Sequence, residues 1–195
     1  MLREKLKPYH IILASGSPRR QAYFKELGID FTIQLKEVEE IYPEALQKEA
    51  ITNYLAELKA QAFDNELQPN DILITSDTIV WHNNKALGKP KTIEEAYDML
   101  RALSDDTHQV YTSVCFTTTT KTETFFDVTR VTFNPLTEED IAYYIKKYQP
   151  FDKAGAYGIQ EWIGLVAIRK IEGSYATIVG LPVDLVYNKL LTFID

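Results

Sequence analysis

The fold class this sequence predicts is α/β, built on a mixed sheet, and three observations predict it. Short apolar strand patterns alternate with helical stripes through the first hundred residues. The densest apolar run, Asp71 to Trp81, is apolar on both faces, as a central strand should be. Two β-rich segments, Val110 to Thr120 and Phe125 to Phe133, are joined by the polar turn Lys121-Thr122-Glu123, as in a hairpin. With 195 residues the chain is expected to form a single domain, residues 1–195, or two closely packed lobes, long enough to bury about 70% of its unfolded surface.

Composition narrows the function classes. A hydrophobic fraction of 45% and a charged fraction of 25% are those of a soluble globular protein. A net charge of −7 argues against a general nucleic-acid binder, yet leaves room for a small anionic substrate if Lys and Arg gather locally or divalent cations bind. The single cysteine, Cys115, excludes an internal disulfide framework and a Cys-rich zinc site, and reads as a buried strand residue. His10, His82 and His108 lack metal-ligand spacing. Met1 to Tyr9 is basic but is not followed by an apolar stretch fit for a signal peptide. No segment approaches the roughly 20 apolar residues of a membrane span, so a cytoplasmic protein without a membrane partner is expected.

In chain order, His10 to Ala14 reads as a strand, Gly16 permits a tight turn, Ser17 is an N-cap and Pro18 suits the first helical position. Arg19 and Arg20 follow, with the wrong sign for a helix start that already carries about half a positive charge. Two readings stay open. In one the arginines point into solvent, as at any helix start; in the other Ser15, Ser17, the free N–H groups and two guanidinium forks hold phosphate oxygens. Gln21 to Leu27 continues the helix to Gly28, and Phe31 to Leu35 alternates as a second strand. Lys36-Glu37-Val38-Glu39-Glu40 is an acidic loop.

From Pro43 to Phe63 the spacing of Ile51, Leu55, Leu58 and Ala62 is helical. Lys59 lies beside that stripe, so it either snorkels or projects into a cleft. Asp77 interrupts the central strand. A buried carboxylate needs a cation, a metal or a raised pKa, which leaves a structural salt bridge or a site carboxylate at the end of a central strand.

Asn83-Asn84 is a turn, and Lys89 is held between Gly88 and Pro90, which stiffens its backbone. Thr92-Ile93-Glu94-Glu95 fits a capping box ahead of a helix to about Leu103. Thr137 with Asp140 caps a further helix to about Tyr148. The stretch 151–160, with two glycines and Gln160, is a loop in which backbone can approach a ligand. Gly164 to Ile171 reads as a strand, Gly173-Ser174-Tyr175 as a turn and Val183 to about Phe193 as a final helix.

Seven segments now stand in a fixed order: Ala14-Ser-Gly-Ser-Pro-Arg-Arg20, Leu55-Ala-Glu-Leu-Lys-Ala60, Ser76-Asp-Thr-Ile-Val80, Leu87-Gly-Lys-Pro90, Thr107-His-Gln-Val-Tyr-Thr112, Asp152-Lys-Ala-Gly-Ala-Tyr-Gly-Ile-Gln160, and Glu172-Gly-Ser-Tyr175 through Val179-Gly-Leu-Pro182. Together they resemble the Maf family of nucleoside triphosphate pyrophosphatases over nearly the whole chain. The resemblance implies a mixed, twisted sheet with flanking helices in two lobes around a nucleotide-binding cleft, a Maf/ITPase-like fold. It also implies cleavage between the α and β phosphates. By position, Ser15, Ser17, Arg19, Arg20, Lys59 and Lys89 would cradle phosphates. Glu40 would help hold a divalent cation, Mg or Mn. Asp77 would be the proton acceptor or a metal-bound carboxylate, and Gln160, with Arg19 and Thr78, would set substrate choice. The Gly-Ala-Tyr-Gly-Ile-Gln loop is similar to that of the subgroup acting on dTTP and UTP. Alternatives are 7-methyl-GTP as substrate, or a nucleotide-binding regulator of cell division without turnover. A homodimer is a family-level expectation. One departure is Glu161-Trp162, where the family usually continues with glycine after the glutamine; another is Ser104-Asp105 in place of Ser-Gly.

Overall fold

A computed structural model describes residues 1–194. Its helices and strands, in chain order, are α1 (Leu2–Lys5), β1 (His10–Leu13), α2 (Pro18–Glu26), β2 (Thr32–Ile33), α3 (Glu49–Gln61), β3 (Asp71–His82), β4 (Lys85–Leu87), α4 (Ile93–Leu103), β5 (Thr107–Thr117), β6 (Thr122–Phe133), α5 (Glu138–Tyr148), a 3-10 turn (Ala154–Ala156), α6 (Trp162–Val166), β7 (Ile168–Glu172), α7 (Tyr175–Val179) and α8 (Val183–Phe193). The sheet is mixed, as the sequence predicts: β1 runs parallel to β2 and β3, whereas β4 pairs antiparallel with β3 and β7 with β6. Among the described residues no helix is long and apolar enough to cross a membrane.

The chain forms two compact units, and β3, β5 and β6 each contribute one half to either. In the first unit (1–77, 112–127 and the segment from 180 on) strand alternation sorts the core into two faces. Ile11, Leu13, Ile72, Ile74 and Phe116 pack on one side with Phe24 of α2 and Val186 and Leu190 of α8. Ile12, Leu73 and Cys115 point the other way, against Ala56, Ala60 and Phe63 of and beside α3. The second unit (78–111 and 128–179) gathers Val80, Val110 and Phe133 with Leu100 of α4, Tyr144 and Ile145 of α5, and Tyr157. Asn83 and Asn84 both take positive φ, 48° and 58°, which makes the β3–β4 connection the two-residue hairpin turn whose twist suits the strands.

Several elements differ from the sequence reading. The helix expected from Pro43 begins at Glu49, because Lys48 sits at φ 52° and the chain before it only turns, with Leu46 N donating to Pro43 O at 3.0 Å. The strand expected over 31–35 is two residues long with both side chains exposed, so little apolar burial extends it. Gly164 belongs to α6, not to a strand. A Cβ there would stand 1.7 Å from the Ile159 carbonyl oxygen, so the glycine serves close helix–loop packing, and β7 begins only at Ile168. The Gly173–Tyr175 turn runs straight into α7. Thr92 caps α4 by accepting from Glu95 N at 3.1 Å, but the Glu95 carboxylate takes the Lys91 N–H at 2.6 Å, so the box is displaced by one residue. At α5 the Thr137/Asp140 box is complete.

His108 shows how the second unit constrains a titratable group. Its Nε2 meets the Tyr157 hydroxyl at 2.8 Å and its ring stands edge-on to Phe133, 5.0 Å between centroids. Burial first, and the nearby His82 second, push its pKa down to about 3, with Asp106 pulling weakly the other way. The unfolded chain takes up this proton near pH 6.5 and the folded chain only near 3. This contribution to stability is therefore whole above pH 6.5 and is lost as pH falls through that window, by up to about 1.4 kcal/mol per pH unit. Urea unfolding across that range should show the slope in the parent and a flatter one in His108→Gln; equal slopes would contradict it.

Candidate active site

Two alternating positions of β3 build the centre of the site. Thr75 and Asp77 follow Leu73 on the face that meets α3, and the Thr75 hydroxyl donates to the Ala56 carbonyl at 2.7 Å. Ala56 and Ala60 are small and buried, which lets the helix lie close to the strand. Lys59, between them on α3, is thereby brought to the strand. Its Nζ donates to Asp77 Oδ1 at 2.6 Å and also meets Glu40 Oε1 at 2.8 Å. One ammonium thus bridges a buried carboxylate on a strand and an exposed one on a loop. Asp77 is only 7% exposed, and burial raises its pKa above the usual carboxylate range. Lys59 opposes that shift and Arg20 does so more weakly, while the Glu40 charge adds to it.

The strand–turn–helix at residues 13–20 lies beside the same strand. In parallel register Leu13 pairs with Ile74, and Ala14 N donates to Ile74 O at 3.0 Å, so the turn emerges level with the end of β3's first half. Ser17 caps α2 by accepting from Arg20 N at 3.5 Å, and the Ser17 N–H donates to Ser15 Oγ at 3.3 Å. The Arg20 guanidinium donates to Gly180 O (2.7 Å), Ser76 O (3.0 Å) and Ser15 Oγ (3.4 Å). A solvated helix start is therefore excluded for Arg20, which is anchored between three parts of the first unit. Burial lowers its pKa while Asp77 opposes the shift, and a guanidinium stays charged throughout.

The first unit thus brings together Ser15, Ser17, Arg20, Lys59, Asp77 and Glu40, with Arg19 half-buried next to Arg20. Of the three loop glutamates, Glu40 is the one that reaches Lys59; with Lys36, Glu37, Val38, Glu39 and Lys59 it lines an open cleft of about 550 Å³. Thr78, Lys89 and Gln160 belong to the second unit. Thr78 is the next residue along β3, Lys89 is exposed after β4, and Gln160 is exposed in the loop before α6. Residues missed by the sequence reading are Ser76 and Gly180, whose backbone carbonyls hold the Arg20 guanidinium, and Gln21, whose side-chain Nε2 holds the turn by donating to Ser15 O at 3.1 Å. Backbone acceptors leave no signature in residue type.

A divalent cation fits the donors present. Glu40 and Asp77 already converge on one cationic point, Lys59 Nζ, and a small hard cation is held by one or two carboxylates with phosphate and water oxygens completing its shell. Among the described residues no group of three or more His, Cys, Asp or Glu is arranged for an all-protein metal cage.

Fold and geometry define a class: a mixed α/β protein with a cationic strand–turn–helix set beside a buried carboxylate. Residues 10–193 match the Maf-like protein family, and the chain belongs to that family. A protein of Flavobacterium johnsoniae named dTTP/UTP pyrophosphatase is 61% identical over 194 residues, covering 100% of both chains. Proteins of the same name from Flavobacterium psychrophilum and Christiangramia forsetii are 59% and 54% identical, over 98% and 97% of this chain and the same shares of theirs.

Lys59→Met removes the strongest opposition to the burial of an ionised Asp77. The Asp77 carboxyl, followed by 13C NMR, should then titrate at higher pH than in the parent. A midpoint that stays or falls would show that Lys59 does not govern this carboxylate.

Proposed function

We propose that this protein hydrolyses nucleoside triphosphates, dTTP and UTP foremost, to the nucleoside monophosphate and diphosphate, limiting non-standard or excess nucleotides. The observation that carries the reading is the buried Asp77 held by Lys59 beside the Ser15–Arg20 turn. The names of relatives at 54–61% identity favour it over a 7-methyl-GTP substrate or a cell-division regulator without turnover. The chemistry requires that water attack the α-phosphorus while the bond to the bridging oxygen breaks and its electron pair leaves with the diphosphate.

Asp77 is suited to accept the water's proton, because burial raises its basicity while Lys59 beside it favours the ionised form. The Ser15 and Ser17 hydroxyls donate to phosphate oxygens. Arg19, Arg20, Lys59 and Lys89 neutralise the charge that grows on the leaving group. Gln160, with Arg19 and Thr78, we assign to substrate choice, Gln160 offering both a donor and an acceptor to the base. A Mg or Mn ion held by Glu40 and Asp77 would add positive charge at the phosphates. We further infer a cytoplasmic homodimer whose partner is a nucleotide, with no nucleic acid or membrane.

Purified protein given a panel of triphosphates with Mg²⁺ or Mn²⁺ should release diphosphate, fastest from dTTP and UTP; release of orthophosphate alone would refute the reading. Asp77→Asn should lower kcat by about 10²–10⁴-fold while nucleotide binding persists. In the parent, kcat/KM should rise with pH through an acid limb above the ordinary carboxylate range, because the base acts only when ionised and burial raises its pKa.

A further inference from the structure

The turn that carries Gln160 is pinned at both ends to one hydroxyl. Glu161 N donates to Gly158 O at 2.9 Å, closing a four-residue turn in which Ile159 is buried and Gln160 exposed. The fully covered Tyr144 of α5 reaches both ends of it. Its hydroxyl accepts from Gly158 N at 2.9 Å and donates to the Glu161 carboxylate in a short hydrogen bond. Lys153, itself 8% exposed, closes the other side of that carboxylate, with Nζ at 3.1 Å from Glu161 Oε1 and at 2.6 Å from Asp152 Oδ1. A Cβ on Gly158 would stand 2.9 Å from the Glu161 carboxyl group and from Lys153 Cε, so a side chain there would push the two away from their present positions. Burial and the Glu161 charge hold the Tyr144 hydroxyl in its protonated, donating form.

We propose that Tyr144, Glu161 and Lys153 form a positioning clamp that aims Gln160, and that this clamp makes Glu161 a determinant of nucleobase preference. The proposal rests on the reading of Gln160 as a substrate residue. None of the three touches the reacting phosphates in this account. They act by removing freedom from the turn that carries Gln160, so that a ligand does not lose that entropy on binding.

The experiment measures steady-state kinetics on triphosphates differing only in base, with melting temperatures alongside. Tyr144→Phe keeps the ring that stacks on Tyr148, 5.1 Å between centroids, and loses both hydroxyl bonds. It should raise KM for the preferred pyrimidine triphosphate about tenfold with kcat within about twofold, while the poorest substrate of the panel changes less than twofold. Glu161→Gln, which keeps an oxygen acceptor for Tyr144, should fall between the two, and Glu161→Ala should match Tyr144→Phe. If all substrates lose activity in parallel, or selectivity is unchanged in folded Tyr144→Phe and Glu161→Ala, the clamp does not position Gln160 and the inference is overturned. If one of these variants does not fold, the other decides alone. A parent enzyme that releases diphosphate without base preference, or releases none, overturns instead the reading on which the inference depends.

Discussion

The ion pair between Lys59 and Asp77 is the constraint around which the first unit is built. An isolated ionised carboxylate on the buried face of a sheet would cost several kcal/mol, and one partner at 2.6 Å makes the position tenable. That partner has to arrive from a helix packed against the same face, which explains why α3 presents alanines at 56 and 60 on either side of Lys59. The Thr75 bond to the Ala56 carbonyl fixes the helix at the same level of the strand. Geometry here follows from two small residues and one long one at helical spacing.

Arg20 plays the complementary part at the ends of β1 and of β3's first half. Its guanidinium is committed to two backbone carbonyls and a serine hydroxyl, which ties the start of α2 to the end of β3's first half and to Gly180 in the segment ahead of α8. A cation at a helix N-terminus is unfavourable by itself. Fixing it through carbonyl acceptors, which carry partial negative charge, offsets that cost without consuming its full charge. The turn stays electropositive beside Asp77, and a triphosphate is the kind of ligand whose charge such an arrangement complements.

Much of this was legible in the sequence because it is local. Ser17 and Pro18 announce α2, Thr137 and Asp140 announce α5, and the apolar run from Asp71 announces β3, since caps and periodicity depend on neighbours a few residues away. Asp77 and Lys59 stood out for a similar reason: a charge within an apolar pattern demands a partner. The partner itself could not be read from spacing, and the choice of Glu40 over Glu37 and Glu39 appears only once the loop is in place. The misreadings share one cause. Gly164 looked like a strand start because its actual constraint, the Ile159 carbonyl, lies in the preceding loop, and Lys48 could not be foreseen at a positive φ that side chains rarely adopt.

The distribution of charge also bears on how an acidic chain can favour an anionic ligand. The net charge of −7 creates a long-range field that repels polyphosphates, but a Debye length near 8 Å at physiological salt confines that field to a thin shell. Inside the shell only nearby groups count. Lys59 faces two carboxylates, so the trio it forms with Glu40 and Asp77 carries a net charge of −1 when all are ionised, and Arg19 and Arg20 bring the local sum to +1. A site so nearly balanced gains little from simple attraction. A triphosphate placed there would be held chiefly by directed hydrogen bonds, and a divalent ion at Glu40 and Asp77 would tip the balance further toward the anion.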